Sequence, residues 1–192
     1  MSSVMSNHLP DTRERLVEAT IGCLRRAASR KVSIADVSRE SGMSRQTIYS
    51  HFADRDELVH AAVEEAALRL SREVAARAAA ASGPTYAVIE AIVAFYRAAS
   101  TDPVASLVVE VSTQAGAARG GVISEETLTL TRAFIEPLVR GDAEATERID
   151  EIAETVLRWL LSLMAYRSAH TRDDDTLRRY LADNLGPALR LP

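Results

Sequence analysis

Between positions 33 and 55 the chain reads SIADVSRESGMSRQTIYSHFADR, and its chemistry is that of hydrogen-bond donors and cations. Arg45, Gln46 and Thr47 are consecutive, and Tyr49, His51 and Arg55 follow within eight residues. A guanidinium fork matches the two acceptors on the major-groove edge of guanine, or a phosphate. A carboxamide pairs with adenine, and a threonine methyl packs on the methyl of thymine. Ser33 and Ser44 add hydroxyls followed by free amides, and a helix N-terminus favours an anion. A plainer use stands beside each of these. Ser33 and Ser44 serve as caps, Tyr49 covers a core, and His51 closes a helix by bonding its carbonyls.

The elements that would position these groups are short. Ser33 can cap a helix with Asp36 three residues on as its box partner. Ile34 and Val37 point to a core, and Ser38 can satisfy its hydroxyl on the carbonyl four residues back. Ser41-Gly42-Met43 is a turn in which Gly42 supplies a left-handed backbone. Ser44 caps a second helix running to His51. Ile48 and Phe52 are four apart, share one face and can pack on Val37. Arg45, Gln46, Thr47, Tyr49 and His51 are left on the other faces. Asp54, with Glu57, caps the next helix. Two short helices joined across a glycine, the second carrying the base-matching side chains, are helix-turn-helix grammar.

This run resembles the TetR family of bacterial transcriptional repressors. The family pattern is Ile-Ala-x-x-x-Gly-x-Ser-x-x-x-Leu/Ile-Tyr-x-x-Phe-x-x-Lys-x-x-Leu. Here Val37, Ser38, Gly42, Ser44, Ile48, Tyr49, Phe52, Arg55 and Leu58 hold those places. The resemblance covers about residues 11–60, and the rest of the chain matches in length and helical character. Ser38 stands where Ala is usual, Arg55 where Lys is usual, and Ala28 where Gly usually follows the first helix. The resemblance implies a palindromic double-stranded DNA operator, gripped at its phosphates by Tyr49, His51 and Arg55. It implies a homodimer in which the last two long helices of each copy form a four-helix bundle. It also implies a small-molecule effector bound between helices five to eight.

Composition agrees with an all-α protein. Of 192 residues, 47% are hydrophobic and only 5% aromatic, with eight Gly and six Pro. The single cysteine, Cys23, lies in an apolar-periodic stretch and reads as a core residue, which fits a reducing, cytoplasmic compartment. The opening MSSVMSNHLP has no cationic region followed by an apolar one, so no signal peptide is expected. The apolar run from Trp159 to Tyr166 is too short to span a membrane. Net charge is −4, unevenly spread. Residues 1–60 hold nine basic and eight acidic side chains, a net of +1, and residues 61–192 carry −5. Such a weak local charge predicts modest non-specific DNA affinity and a need for two copies acting together. Enzymatic signatures are missing. His8, His51, His60 and His170 form no metal-ligand spacing with Cys, Asp or Glu, and there is no phosphate-cradling glycine loop and no G-x-S-x-G. No catalytic residue, metal or cofactor is expected.

Nine helices are expected. The first spans Asp11 or Thr12 to about Ala28, with Leu16, Thr20, Cys23, Leu24 and Ala27 as its buried stripe. The fourth runs from Arg55 to about Ala81, roughly 40 Å of strut between domains. Pro84 opens a central apolar helix, Asp102-Pro103 opens one to about Gln114, and Ala115 to Val122 is a flexible loop. A helix after Ser124 is kinked by Pro137. The last two span Thr146–Ser168 and Asp173–Arg190. A DNA-binding domain over 11–56 and an effector and dimerisation domain over 57–192 are expected. Ile149, Ile152, Val156 and Leu160 on the eighth helix, and Leu177, Leu181, Leu185 and Leu189 on the ninth, form stripes that can serve a dimer interface or their own core. Phe95, Tyr96, Trp159, Met164 and Tyr166 can line an effector pocket or simply pack. Glu90, Glu110 and Arg158 interrupt apolar runs, so each must reach solvent, a partner or a ligand. The reading is a dimeric, ligand-responsive repressor. The alternatives are a constitutive DNA-binding protein with no effector, and a helical small-molecule binder that has lost DNA binding.

Overall fold

The computed structural model describes residues 11–27, 31–109 and 125–191. Among these residues there are eleven α-helices and no strand. The chain divides into two compact units, one running to Ala66 and the other starting at Ala67.

The first unit contains α1 (Thr12–Ala27), α2 (Ile34–Ser41), α3 (Arg45–His51) and the start of α4 (Arg55–Ala79). Reciprocal bonds open α1. The Glu14 amide donates to Asp11 Oδ1 at 2.8 Å, and the Asp11 amide to Glu14 Oε2 at 3.1 Å. Leu16, Thr20, Cys23 and Leu24 are buried, whereas Ala27, expected in the same stripe, is exposed in the last turn. Thr20 is fully buried because its hydroxyl donates to the Leu16 carbonyl at 2.8 Å, leaving only its methyl to pack. Burial pushes the Cys23 thiol above its ordinary pKa, so it behaves as a small apolar core residue. Val37, Ile48, Phe52 and Leu58, each exposed by no more than 1%, complete this core.

The second unit contains the rest of α4, α5 (Pro84–Thr101), α6 (Pro103–Val109), α7 (Glu125–Ile135), α8 (Ala143–Glu147), α9 (Ile149–Ala165), α10 (Asp174–Asn184) and α11 (Gly186–Leu189). Its organising element is α5, which is apolar all round because it serves two cores. Val88, Ile89, Ile92, Val93 and Tyr96 pack with α9 and α10. Ala87, Ala91 and Ala94 pack with Leu70, Val74 and Ala78 of α4 and with Ala105. The small residues on that second side are alanines, which let helices approach closely. No single helix among the described residues is long and apolar enough to cross a membrane, and α5 and α6, apolar together, bend by 116°.

Three polar ties fasten α5 to the C-terminal segment. Thr85 Oγ1 donates to the Leu191 carbonyl at 2.9 Å, Arg178 forks onto the Glu90 carboxylate, and Arg97 Nε donates to Asp174 Oδ1 at 2.6 Å. Numbers rise along α5 as they fall along the partner, so the two run antiparallel.

The expected nine helices become eleven through two breaks. A short helix, α8, capped by the Asp142 side chain, starts ahead of the expected eighth helix at Thr146 and is broken at Arg148 from α9, which fills the rest of that expected span to Ala165. The ninth divides at Leu185, because Pro187 has no N–H to continue the ladder and Gly186 adds no stiffness. Pro137 sits in a 3₁₀ turn, Glu136–Leu138, and Gly141 (φ +99°) takes the left-handed turn that follows. The expected ends at Ala28 and Gln114 and the loop from Ala115 to Val122 lie outside the described residues.

Leu181 is fully buried between α5 and α10, and Leu130 on α7 is 67% exposed. Leu181→Ala is expected to cost about 2–5 kcal/mol by leaving a cavity. Leu130→Ala should stay within about 0.5 kcal/mol of the parent. Urea denaturation of the three proteins checks both.

Candidate nucleic-acid interface

The interface is built on α2 and α3. Ser33 is in extended backbone before α2, and the Asp36 amide donates to its Oγ at 3.2 Å while the Ser33 amide returns to Asp36 Oδ2 at 3.1 Å. The Ser33 hydroxyl and amide together hold the Asp36 carboxyl below the usual aspartate range. After α2, Gly42 takes φ +69°. No atom stands near where a Cβ would go, so the glycine is required by backbone angle alone. Ser44 then caps α3, accepting from the Thr47 amide at 3.1 Å.

Burial fixes which side of α3 faces out. Ile48 is fully buried and Phe52 nearly so, as is Val37 on α2. Arg45, Gln46, Tyr49 and His51 are exposed, Tyr49 to 54%. Their side chains make no hydrogen bond to any of the described residues. Thr47 differs. Its hydroxyl lies 2.8 Å from Ser44 Oγ, so the group it can offer a base is its methyl.

Arg55 is placed otherwise than expected. Its Nε donates to the Val32 carbonyl at 2.7 Å, and one terminal nitrogen pairs with Asp56. A phosphate would have to share it with these. Ser38 also differs from expectation. Its hydroxyl donates forward to the Met43 carbonyl at 2.6 Å instead of back along the helix. Asp54 caps α4 through the Glu57 amide at 2.8 Å, but Glu57 returns to the amide of Ala53, not of Asp54. Asp54, Asp56 and Glu57 thus give the start of α4 an acidic rim around Arg55 and His60. One cation was missed by sequence reading. The Arg13 guanidinium lies 5.0 Å from the Phe52 ring centroid, and only the folded contact singles it out from the other arginines of α1.

Residues 16–62, which span α1 to the start of α4, match the family model of bacterial regulatory proteins, tetR family. This segment carries the DNA-binding region of the TetR family of transcriptional regulators. No curated protein matches it significantly in sequence. Among solved structures, the TetR-family repressor AlkX from Dietzia sp. is similar at 22% identity, over 91% of this chain and 96% of that one, with a TM-score of 0.56. A transcriptional regulator from Rhodococcus sp. is similar at 19% identity, over 94% and 97%, with a TM-score of 0.51. The fatty acid degradation regulator FadR from Bacillus halodurans is similar at 12% identity, over 96% and 99%, with a TM-score of 0.52. These likenesses concern the fold, and they extend over both units of the chain.

The residues expected in an effector pocket are not gathered into one place. Tyr96 is buried in the core shared with α9 and α10, and Phe95 packs on the opposite, alanine-rich core. Glu90 is taken by Arg178. Arg158 is outward and paired with Glu154, and Tyr166 is 77% exposed, so neither lines a pocket within the chain. Trp159 and Met164 are half-buried beside the α9 core. Glu110 lies outside the described residues. The expected interface stripe needs a larger correction. Leu177, Leu181, Leu185 and Leu189 are fully buried, and Ile152 and Val156 nearly so, all within the core of their own chain. Side chains without exposed surface cannot meet a second copy. Ile149 and Leu160 keep part of their surface.

Because the Asp36 carboxyl is depressed in the folded state, its stabilisation is complete above the ordinary aspartate range, about pH 4. It is lost as pH falls through the folded value. Asp36→Asn should therefore melt below the parent near neutral pH, and the gap should close on acidification. Thermal melts across the acid range check the convergence.

Proposed function

We propose that this TetR-family regulator is a cytoplasmic repressor that binds a near-palindromic operator as a homodimer and is released by a small-molecule effector. The observation that carries the DNA reading is the division of α3. One face is spent on Ile48 and Phe52, Gln46 and Tyr49 face away from it, and Arg45 is exposed at the first turn. In that reading Arg45 and Gln46 hydrogen-bond base edges, and Thr47 contacts a thymine methyl. Tyr49 and His51 hold phosphates, helped by Ser33 and Ser44 at two helix starts. Arg55 adds charge at the backbone while its Nε stays on Val32. Two copies place their reading helices about 34–36 Å apart, one turn of DNA, or a multiple of it.

Support for a dimer rests on what α9 and α10 leave uncovered. Trp159, Leu160 and Met164 are half-buried beside Tyr180, and the Trp159 and Tyr180 rings lie 5.7 Å apart at 59°. Half-covered aromatic pairs of this kind suit a second copy. An effector would act by favouring a dimer with another spacing, and a coupling of about 1–3 kcal/mol weakens operator binding roughly 5- to 150-fold. A second reading, a constitutive DNA-binding protein, is favoured by the dispersal of the expected pocket residues and the full burial of Tyr96.

The purified protein should select a duplex from a randomised pool and bind it with an affinity that falls as salt rises. Arg45→Ala should relax the selected sequence at one position by about 1–3 kcal/mol, and Tyr49→Phe should weaken all duplexes alike. Selection of no sequence would remove the DNA reading. Undiminished binding across a library of apolar and acidic small molecules would favour the constitutive reading.

A further inference from the structure

Both ends of α2 are held by side chains that the base-reading set does not include. At its far end, Met43 is the last residue before the cap of α3, and both of its backbone groups are taken. Ser38 Oγ donates to its carbonyl at 2.6 Å, and its amide donates to Ser41 Oγ at 3.2 Å. At the near end, the carbonyl of Val32, next to the cap Ser33, accepts from Arg55 Nε at 2.7 Å. Arg55 opens α4, four residues beyond the end of α3. The chain therefore closes a ring around the reading helix. Ser38 ties α2 to the segment before α3, and Arg55 ties the segment after α3 back to the start of α2.

Such a ring matters because α3 has only seven residues. A helix so short has little stability of its own, and its direction is set by what holds its ends. Apolar packing of Ile48 and Phe52 fixes which face is buried but tolerates small rotations about the contact. Directional hydrogen bonds at the flanking carbonyls resist those rotations. Base reading is sensitive to such shifts, since a bidentate bond from Arg45 or Gln46 requires both distances and plane to be right. Phosphate attraction is far less sensitive, as charge acts over several ångströms.

We propose that Ser38 and Arg55 are positioning residues for base reading. They set the angle at which α3 enters the groove, and Arg55 acts here through the fixed direction of Nε as well as through its charge. The proposal rests on the reading that α3 contacts DNA, and it concerns sequence discrimination within that reading.

The test uses the full chain and two duplexes of equal length, one selected by the parent protein from a randomised pool and one with that sequence scrambled. Ser38→Ala and Arg55→Lys are each expected to bind the selected duplex about 3- to 10-fold more weakly, the equivalent of one lost hydrogen bond. For Ser38→Ala, binding to the scrambled duplex should stay within about twofold, with an unchanged salt slope, because no charge is altered. Ser38→Thr retains the hydroxyl and should restore discrimination. The proposal is overturned if Arg55→Lys matches the parent on the selected duplex, for then charge alone suffices. It is equally overturned if Ser38→Ala loses affinity for both duplexes in the same proportion, or discriminates as the parent does. A parent protein that selects no duplex at all overturns the DNA reading itself, an outcome distinct from any of these.

Discussion

The burial of Ile48 and Phe52 against Val37 is the contact on which the reading surface depends. A seven-residue helix in water would not hold together, since nucleation alone exceeds what so few hydrogen bonds return. Burying a side chain of this size contributes about 1.5–3 kcal/mol, so two such contacts outweigh the weak local preference of α3. The same burial has a geometric consequence. With 3.6 residues per turn, placing positions 48 and 52 inward turns 46 and 49 away from the core, while Arg45, on the side of Ile48, is exposed as the first residue of the helix. Stability and presentation are one event.

The second unit solves a different problem, which is how to keep charged groups on α5, a helix otherwise largely apolar. Glu90 lies on α5 among residues committed to two cores, and an isolated carboxylate there would be costly. The Arg178 fork from α10 answers it, and Glu90 in turn raises the basicity of that guanidinium. Arg97 and Asp174 repeat the arrangement at the other end of α5. Side chains in these pairs are between 21% and 39% exposed, so solvent screens them and their energetic weight is small. Their value is directional. Paired with the Thr85–Leu191 bond, they fix the register of α5 against the C-terminal segment, where leucine on valine would allow sliding.

What was legible in the sequence follows the range of the interaction. The caps at Ser33, Ser44 and Asp54, the left-handed Gly42 and the first-turn Pro84 were all readable, because each depends on residues within four positions. The breaks at Arg148 and Leu185 were missed for different reasons. Gly186-Pro187 was a visible stop, overridden by the regular leucine spacing across it. Arg148 carries no such signal. The leucine stripe of α10 shows why periodicity stops short of function. A buried face looks the same in sequence whether its own chain or a second copy covers it, and only the folded chain shows that Leu177, Leu181 and Leu185 are already covered. The bond from Arg55 to Val32 spans 23 residues and that from Arg178 to Glu90 spans 88, and no spacing rule reaches either.

The charge balance of the first unit constrains how such a surface can work. A net of +1 over residues 1–60, which becomes −1 once Glu64 and Glu65 complete the unit, with Asp54, Asp56 and Glu57 close to Arg55, offers little attraction to duplex phosphates in general. A protein with many phosphate contacts binds any sequence and must separate its target from a strong background. One with few contacts has a weak background but needs its specific bonds to be well made. On the proposed reading, this unit is of the second kind. Its outward donors are few, its flanking carboxylates oppose phosphate in general, and its backbone around α3 is tied by side chains at both ends of α2. Low charge and a rigid frame are therefore two sides of one solution, since discrimination that does not rest on attraction has to rest on geometry.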